Sequence, residues 1–544
     1  MSSYILQIMH HSLLFFLSLL FGVFLLVMFA QRIKVAYPIF LVLAGLGISM
    51  IPGIPKVKID PEVIFLIFLP PLLYEAAWYT SWNDFWKWKR PISLLAFGLV
   101  FFTSMVVAYV SSSMIPGFTL AMGFLLGGII SPPDAVAAAT VLKGMKVPKR
   151  VLTILEGESL VNDASSLIVF KFALAAILTG TFSLQQATGQ FFIVAGMGIV
   201  VGIAGAHVFY AVHRFLPTTP AIDAALTVMT PYLLFLVAEH YHFSGVMAVV
   251  SGGLFMSYRA HEVFQTGSTR LNMLGVWTTM IFVMNAFVFI IIGLQLPDII
   301  AGLGQYSIAD AVKYGLIISG ITIAIRFLWV YPTAFIPRWL SARVRRDPSP
   351  GWKGPLIIGW AGMRGVVSLA TALSIPLLMT DGTAFPHRNL IIFITFIVIL
   401  ITLVVQGLTL PFIIKLIKLR EIDNIAREDE QQAGIQLRLD HIALDHAHKR
   451  HAGELESNEL LMYYKENVKN RMQNTQLQLN SVECSEMKSV EVKKYQHVLM
   501  EIYALQRKEL FKLRKEKFFS DEEIRKAELQ VDLNELKITG SHHL

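Results

Sequence analysis

Along the first three quarters of the chain, apolar residues run in long blocks interrupted by short polar joints. Blocks of ~17–25 apolar residues are long enough to cross the hydrocarbon core of a bilayer as helices. Thirteen can be drawn, at roughly 12–30, 35–51, 61–80, 91–112, 117–142, 150–178, 189–213, 221–240, 243–258, 272–297, 307–335, 352–378 and 389–418. The division between 221–240 and 243–258 is the weakest, because His240, Tyr241 and His242 are its only punctuation. After Leu419 the pattern changes. Residues 420–544 hold no spanning block, and HVLMEIYALQRKELFKLRKEKFF sets apolar positions at helical spacing among dense charge. The predicted class is therefore an all-α, polytopic membrane protein of about thirteen transmembrane helices. Its transmembrane domain is expected over 1–419 and a helical cytoplasmic tail over 420–544.

Composition agrees with that pattern. Mean hydropathy is +0.58, and 55% of residues are hydrophobic while 15% are charged, against roughly 25% charged in a soluble domain. A soluble fold of 544 residues could not hide so much apolar surface. The single cysteine, Cys484, excludes an intramolecular disulfide framework. The net charge of +8 divides unevenly: residues 1–419 hold 26 Lys+Arg and 15 Asp+Glu, and the remainder hold 20 and 23. A basic membrane part with a balanced tail points to topology, not to a nucleic-acid partner. No Lys or Arg precedes Arg32, so the first block is expected to be a retained span and not a cleaved signal.

The basic residues orient the spans. Alternate joints carry Arg32, Lys34, Lys87, Lys89, Arg90, Lys143, Lys146, Lys149, Arg150, Arg214, Arg259 and Arg270, and the same side then holds Arg338, Arg343, Arg345, Arg346, Lys353, Lys415 and Lys418. The opposite joints carry only Lys56, Lys58 and Arg388. This bias makes the basic side cytoplasmic, with the N-terminus outside and the tail inside. It also requires an odd number of spans.

Ionisable residues within spans are expensive and mark function or pairing. Those singled out are Glu75, Asp134, Glu156, Glu158, Asp163, Lys171, Arg326 and Arg364. The richest stretch is EGESLVNDASS, Glu156–Ser166, in the sixth span. At roughly 100° per residue, Ser159 and Asp163 stack one turn apart, Asn162 lies beside them and Ser166 extends the stripe. Glu158, four residues before Asn162, is placed to meet it. A carboxylate, a hydroxyl and an amide converging at mid-depth can replace part of the water shell of a hard cation, which prefers oxygen ligands. Hydroxyls and amides alone would suffice for a polar seam between helices. Three carboxylates in eight residues exceed that need.

Two further stretches break their spans. In GGIISPPDAVAAAT, residues 127–140, Pro132 and Pro133 stop the helix, and Asp134 follows at the start of the second half, placed to cap its free N–H groups. In GWAGMRGVVSLATALSIP, residues 359–376, glycines and a proline interrupt the twelfth span around Arg364. Broken helices at membrane depth line protein or a cavity and supply free carbonyls and half-helix dipole ends. The paired breaks, each with one ion, suggest an inverted or shifted repeat, and inverted repeats are expected. Arg364 cannot shed its charge and needs an acidic partner, for which Glu158 is the candidate. Glu75, in FLPPLLYEAAW, lies near the cytoplasmic end of span three and is open to either a site role or an interfacial one. The sequence names no partner for Lys171 or Arg326. In the tail, His441, His446, His448 and His451 sit on a charged helix, where a solvated face explains them better than a metal site.

These motifs resemble the monovalent cation–proton antiporter family, in its NhaP-type branch of sodium/proton exchangers. GESLVNDASS is similar to that branch's GESLxND element, SPPDAVAA to its TDPVAV element, GMRGVVSLA to its LRGAVSL element, and FLPPLLYEA to its span-three segment. The resemblance covers residues ~10–418 in order. It implies thirteen spans, a homodimer, two broken helices that cross in a mobile core, and elevator-like alternating access. It implies ion and proton binding at Asp163, with Ser159, Glu75 and a carbonyl at Pro133 as further ligands of Na+. It implies that Asn162 and Asp134 organise the crossing and that Glu158 pairs with Arg364. The family often has Thr before the Asp of the second motif. Here Pro133 leaves only its carbonyl.

A carboxyl group buried in low dielectric disfavours its charged form, and a bound cation favours it, so proton and cation compete. Reorientation only when loaded turns that competition into exchange. Asn162 stands where a second Asp would add a titrating charge, so one-for-one electroneutral exchange is expected. Neither GxxxxGK[ST] nor a GxGxxG fingerprint is present, so no cofactor is expected. The alternatives are a K+/H+ exchanger of the same family and, of a different class, a cation channel, which would conduct without proton counter-transport. An intramembrane enzyme would need a nucleophile–base pair or metal ligands, and no in-span His accompanies Asp163. Monovalent cations, protons and membrane lipid are the expected partners.

Overall fold

The computed structural model describes residues 2–51, 61–142, 145, 147–180, 184–264, 266–304, 306–345, 348–379, 381–419, 428–480, 485–516 and 521–539. Lys56, Lys58, Lys143, Lys146, Arg346 and Cys484, used above, lie outside them. The described residues form helices and joints, with one isolated bridge between Leu378 and Ala384. They fall into two compact units, Met1–Asp423 and Asn424–Leu544.

In the first unit the apolar blocks become helices. In chain order they are α1 Ser2–Arg32, α2 Tyr37–Ser49, α3 Pro61–Tyr79, α4 Lys89–Met114, α5 Leu120–Ile130, α6 Ala135–Leu142, α7 Lys149–Thr179 and α8 Leu184–Phe215. There follow α9 Pro220–His240, α10 Gly245–Val263, α11 Gly267–Leu294, α12 Ile308–Leu340, α13 Lys353–Trp360, α14 Val366–Leu373 and α15 Arg388–Ile417. Among the described residues, seven helices are long and apolar enough to cross a membrane unaided, including α4, α7, α9 and α15. The weakest division holds: α9 ends at His240, and Ser244 caps α10 by accepting from Met247 N at 3.2 Å. Similar caps by Thr119 and Thr219 start α5 and α9, giving free N–H groups at helix ends an acceptor.

Both predicted breaks are present. The fifth block is split into α5 and α6 around residues 131–134, and the twelfth into α13 and α14 around residues 361–365. Two further interruptions are π-helical turns, Leu94–Leu99 in α4 and Thr402–Gln406 in α15. A π turn leaves carbonyls out of the regular ladder. Here Trp329 Nε1 donates to Leu94 O at 2.9 Å, and Ser165 Oγ donates to Ala96 O at 2.5 Å. That joins α4 to α12 and α7.

The packing is close where side chains are small. At the contact of α2 with α11, a Cβ on Gly45 would fall 2.6 Å from Ile290 O, so two backbones touch with nothing between them. Such small-residue contacts replace the hydrophobic driving force that lipid removes.

The second unit is helical: α16 Glu428–Arg450, α17 Glu459–Asn480, α18 Ser485–Glu516 and α19 Asp521–Thr539. Asp440 on α16 is buried and receives Arg471 of α17 through Nε at 2.9 Å and Nη2 at 2.5 Å. Arg507 ties α18 to α19 through Asp532 at 2.6 Å.

Candidate functional site

The two breaks meet. Asp134 N, just after the first break, donates to Met363 O in the second at 2.7 Å. Arg364 Nη1 in turn donates to Ser131 O, a carbonyl that the first break frees, while Arg364 N donates to Thr402 Oγ1 in the π turn of α15 at 3.0 Å. Gly365 admits this contact. A Cβ there would stand 1.7 Å from Asp134 Oδ2, 2.5 Å from its Cγ and 2.8 Å from its Cβ, so the capping carboxylate would have to move. Asp134 caps α6 as expected, its Oδ1 accepting from Val136 N at 2.8 Å and from Ala137 N at 3.4 Å.

The polar face of α7 packs on this crossing. Asn162 is fully buried, and its Nδ2 donates to Pro133 O at 3.1 Å. Asp163, one position on, is 6% exposed. A cavity of about 70 Å³ lies against it, room enough for a small ion with part of its hydration. Its polar lining comes from Pro133, Asp134, Ser159, Asp163, Asn285 and Ser368. Leu69, Leu72, Leu73 and Ala76 of α3 add an apolar part of the lining.

Three sequence expectations change. Glu158 does not pair with Arg364. Its two oxygens take Arg326 Nη1 at 2.6 Å and Nη2 at 2.7 Å, a bidentate pair in which both side chains are 1% exposed. Arg326 Nε also donates to Ile358 O at 3.0 Å, so α12 clamps α7 and α13 together. Arg364 stays within electrostatic reach of that pair, but it is turned toward the carbonyl of the broken strand of chain. Nor do Glu158 and Asn162 meet: each has its own partner, Arg326 and the Pro133 carbonyl. Glu75 on α3 is half-buried within electrostatic reach of Glu156, and it is not among the residues lining the cavity.

Sequence reasoning missed Asn285 and Ser368. An amide inside the apolar run FVMNAFVF was the available signal for the first, and Ser368 stood unremarked within GMRGVVSLA. It also missed Asp223, which is buried against His213 at 2.8 Å. Lys171, left without a partner, reaches Glu239 at 2.9 Å.

The sequence profile described as "Sodium/hydrogen exchanger, transmembrane" matches residues 16–416. The chain belongs to the sodium/hydrogen exchanger family. It is 36% identical over 389 residues to the sodium, potassium, lithium and rubidium/H(+) antiporter of Bacillus subtilis, a match covering 69% of this chain and 58% of that protein. A Bacillus pumilus protein of the same name is 34% identical over 386 residues, covering 69% and 57%. This chain thus spans under two thirds of the length of those two relatives. The Na(+)/H(+) antiporter ApNhaP of Aphanothece halophytica is 34% identical over 386 residues, covering 70% of each chain. Among solved structures, the sodium proton antiporter MjNhaP1 of Methanocaldococcus jannaschii superposes with a TM-score of 0.57 at 19% identity, covering 74% of this exchanger-family chain and 99% of that one. That likeness speaks to fold.

Proposed function

We propose that the protein is a secondary antiporter exchanging one monovalent cation, Na+ first, for one proton by alternating access. The observation that carries this is the placement of Asp163, a buried carboxylate, beside Ser159 and the Pro133 carbonyl in one cavity at the crossing of two broken helices. A carboxylate withdrawn from water is costly unless it holds a proton or a cation. Asp163 therefore carries one or the other, and a core that reorients only when loaded exchanges them. Pro133 O already accepts from Asn162 and has a second lone pair for an ion.

Stoichiometry follows from what surrounds Asp163. Its neighbour Asn162 has no titrating charge, and Asp134 is engaged by two backbone N–H groups. One exchangeable carboxylate gives electroneutral exchange. On this reading the N-terminus lies outside and the tail of residues 420–544 inside a bacterial plasma membrane, a choice that the bias of basic residues toward alternate joints supports. Thirteen spans, a homodimer in lipid, and a part in cytoplasmic pH homeostasis complete the reading. A second reading, K+/H+ exchange, draws on the name of the Bacillus subtilis relative, which includes potassium.

The test is purified protein in proteoliposomes with a pH-sensitive dye inside. A Na+ gradient should drive a proton gradient of opposite direction, at a rate indifferent to an imposed membrane potential. Cation flux without proton movement would overturn antiport, and a rate that follows the potential would overturn electroneutrality.

A further inference from the structure

Two neutral side chains in the cavity have no assigned part. Ser368 is 1% exposed, and among the described residues its Oγ has no hydrogen-bond partner. Serines and threonines buried in helices ordinarily bond the carbonyl three or four residues back. Thr371 does so on the same helix, to Val367 O at 2.7 Å. Ser368 stands too near the start of α14: four residues back is Arg364, in the break. The break thus deprives the hydroxyl of its local acceptor and leaves it at the cavity, where an unsatisfied polar group is costly. Asn285 is 4% exposed, comes from α11, and lines the same cavity on an otherwise apolar stretch of helix.

We propose that Ser368 and Asn285 complete the oxygen shell of the bound cation and determine which monovalent cation is accepted. This rests on the exchange site proposed above. Asp163, Ser159 and Pro133 offer a carboxylate, a hydroxyl and a carbonyl, fewer oxygens than a hard cation gathers when it leaves water. Ser368 adds a second hydroxyl from α14, and Asn285 an amide oxygen from α11, a helix that supplies none of the other polar lining. Both are uncharged. They therefore strengthen cation binding without adding an exchangeable proton, and one-for-one exchange is preserved. Their separation on different helices makes the fit depend on cation radius.

The experiment measures exchange in proteoliposomes as a function of Na+, Li+ and K+ concentration for the parent, Ser368→Ala, Asn285→Ala, Ser368→Thr, Asn285→Gln and Asp163→Asn. Each alanine variant should raise the concentration of Na+ at half-maximal rate about tenfold, the equivalent of one lost neutral ligand. Ser368→Thr and Asn285→Gln keep the oxygens on larger side chains. They should stay nearer the parent for Na+ while changing the Na+/K+ ratio by about threefold or more, and they carry the test if an alanine variant does not fold. An inactive Asp163→Asn alongside unchanged half-maximal concentrations and ratios in the other variants would overturn this inference alone. An active Asp163→Asn would overturn the site on which it rests.

Discussion

Glu158 and Arg326, 168 residues apart in the chain, face each other through two parallel hydrogen bonds of 2.6 and 2.7 Å with both side chains withdrawn from solvent. Bidentate guanidinium–carboxylate geometry is the arrangement best able to offset the desolvation of two charges.

Removing one partner leaves an uncompensated buried charge, so Arg326→Ala or Glu158→Ala should each destabilise the membrane unit by about 3–5 kcal/mol. The double variant should cost much less than the sum. Thermal melting in detergent, arranged as a double-mutant cycle, checks this. Additive losses would mean the two groups are not coupled. Glu158→Ala combined with Arg364→Ala should give no comparable rescue.

Asp134 and Gly365 make a second test at the crossing. A methyl group at residue 365 has no room beside the Asp134 carboxylate, at 1.7 Å from Oδ2. Gly365→Ala should abolish exchange and lower stability by about 1–3 kcal/mol, the range of an overpacked core. Pairing it with Asp134→Gly, which clears the space, should recover part of the stability but not the exchange. Full activity in Gly365→Ala would contradict the close approach of the two breaks.

The tail supplies a pH prediction. The Arg471 guanidinium, bonded to both oxygens of Asp440, holds that carboxyl below the usual carboxylate range against the opposite push of burial. A group depressed on folding stabilises above its unfolded value, ~3.9 for Asp. That stabilisation is lost as pH falls through the folded value. Spin labels on α16 and α17 should report one sharp distance from neutral pH down to about pH 4 and a broader distribution below it. Arg471→Ala, leaving a buried carboxylate with one partner fewer, should cost about 1–2 kcal/mol and broaden the distribution at neutral pH. A distribution indifferent to both changes would show that the pair does not hold the helices together.

The helices of the first unit were legible because bilayer-length apolar blocks carry their own boundaries, and proline at 132 and 133 announced the first break chemically. The stripe of Ser159, Asn162 and Asp163 could be placed because helical periodicity is local. Pairings across the fold could not. Arg364 and Arg326 are both arginines in apolar spans, and nothing in their neighbourhoods tells which reaches Glu158. That choice is made by the crossing, which turns Arg364 toward Ser131 O and leaves the Glu158 oxygens to α12. Glu75 illustrates the same limit: its depth on α3 could be estimated, but the rotation of α3 decides that leucines face the cavity. Asn285 and Ser368 escaped because an isolated amide or hydroxyl is common in membrane helices, and only the cavity makes these two notable.

The decisive residue is Asp163. Exchange driven by a Na+ gradient should be measured in proteoliposomes for the parent and for Asp163→Asn, matched in protein content and in melting temperature. The parent should move protons in the direction opposite to Na+, and Asp163→Asn should be silent at every Na+ concentration and pH. Sustained sodium-dependent proton movement in folded Asp163→Asn protein would contradict exchange at Asp163.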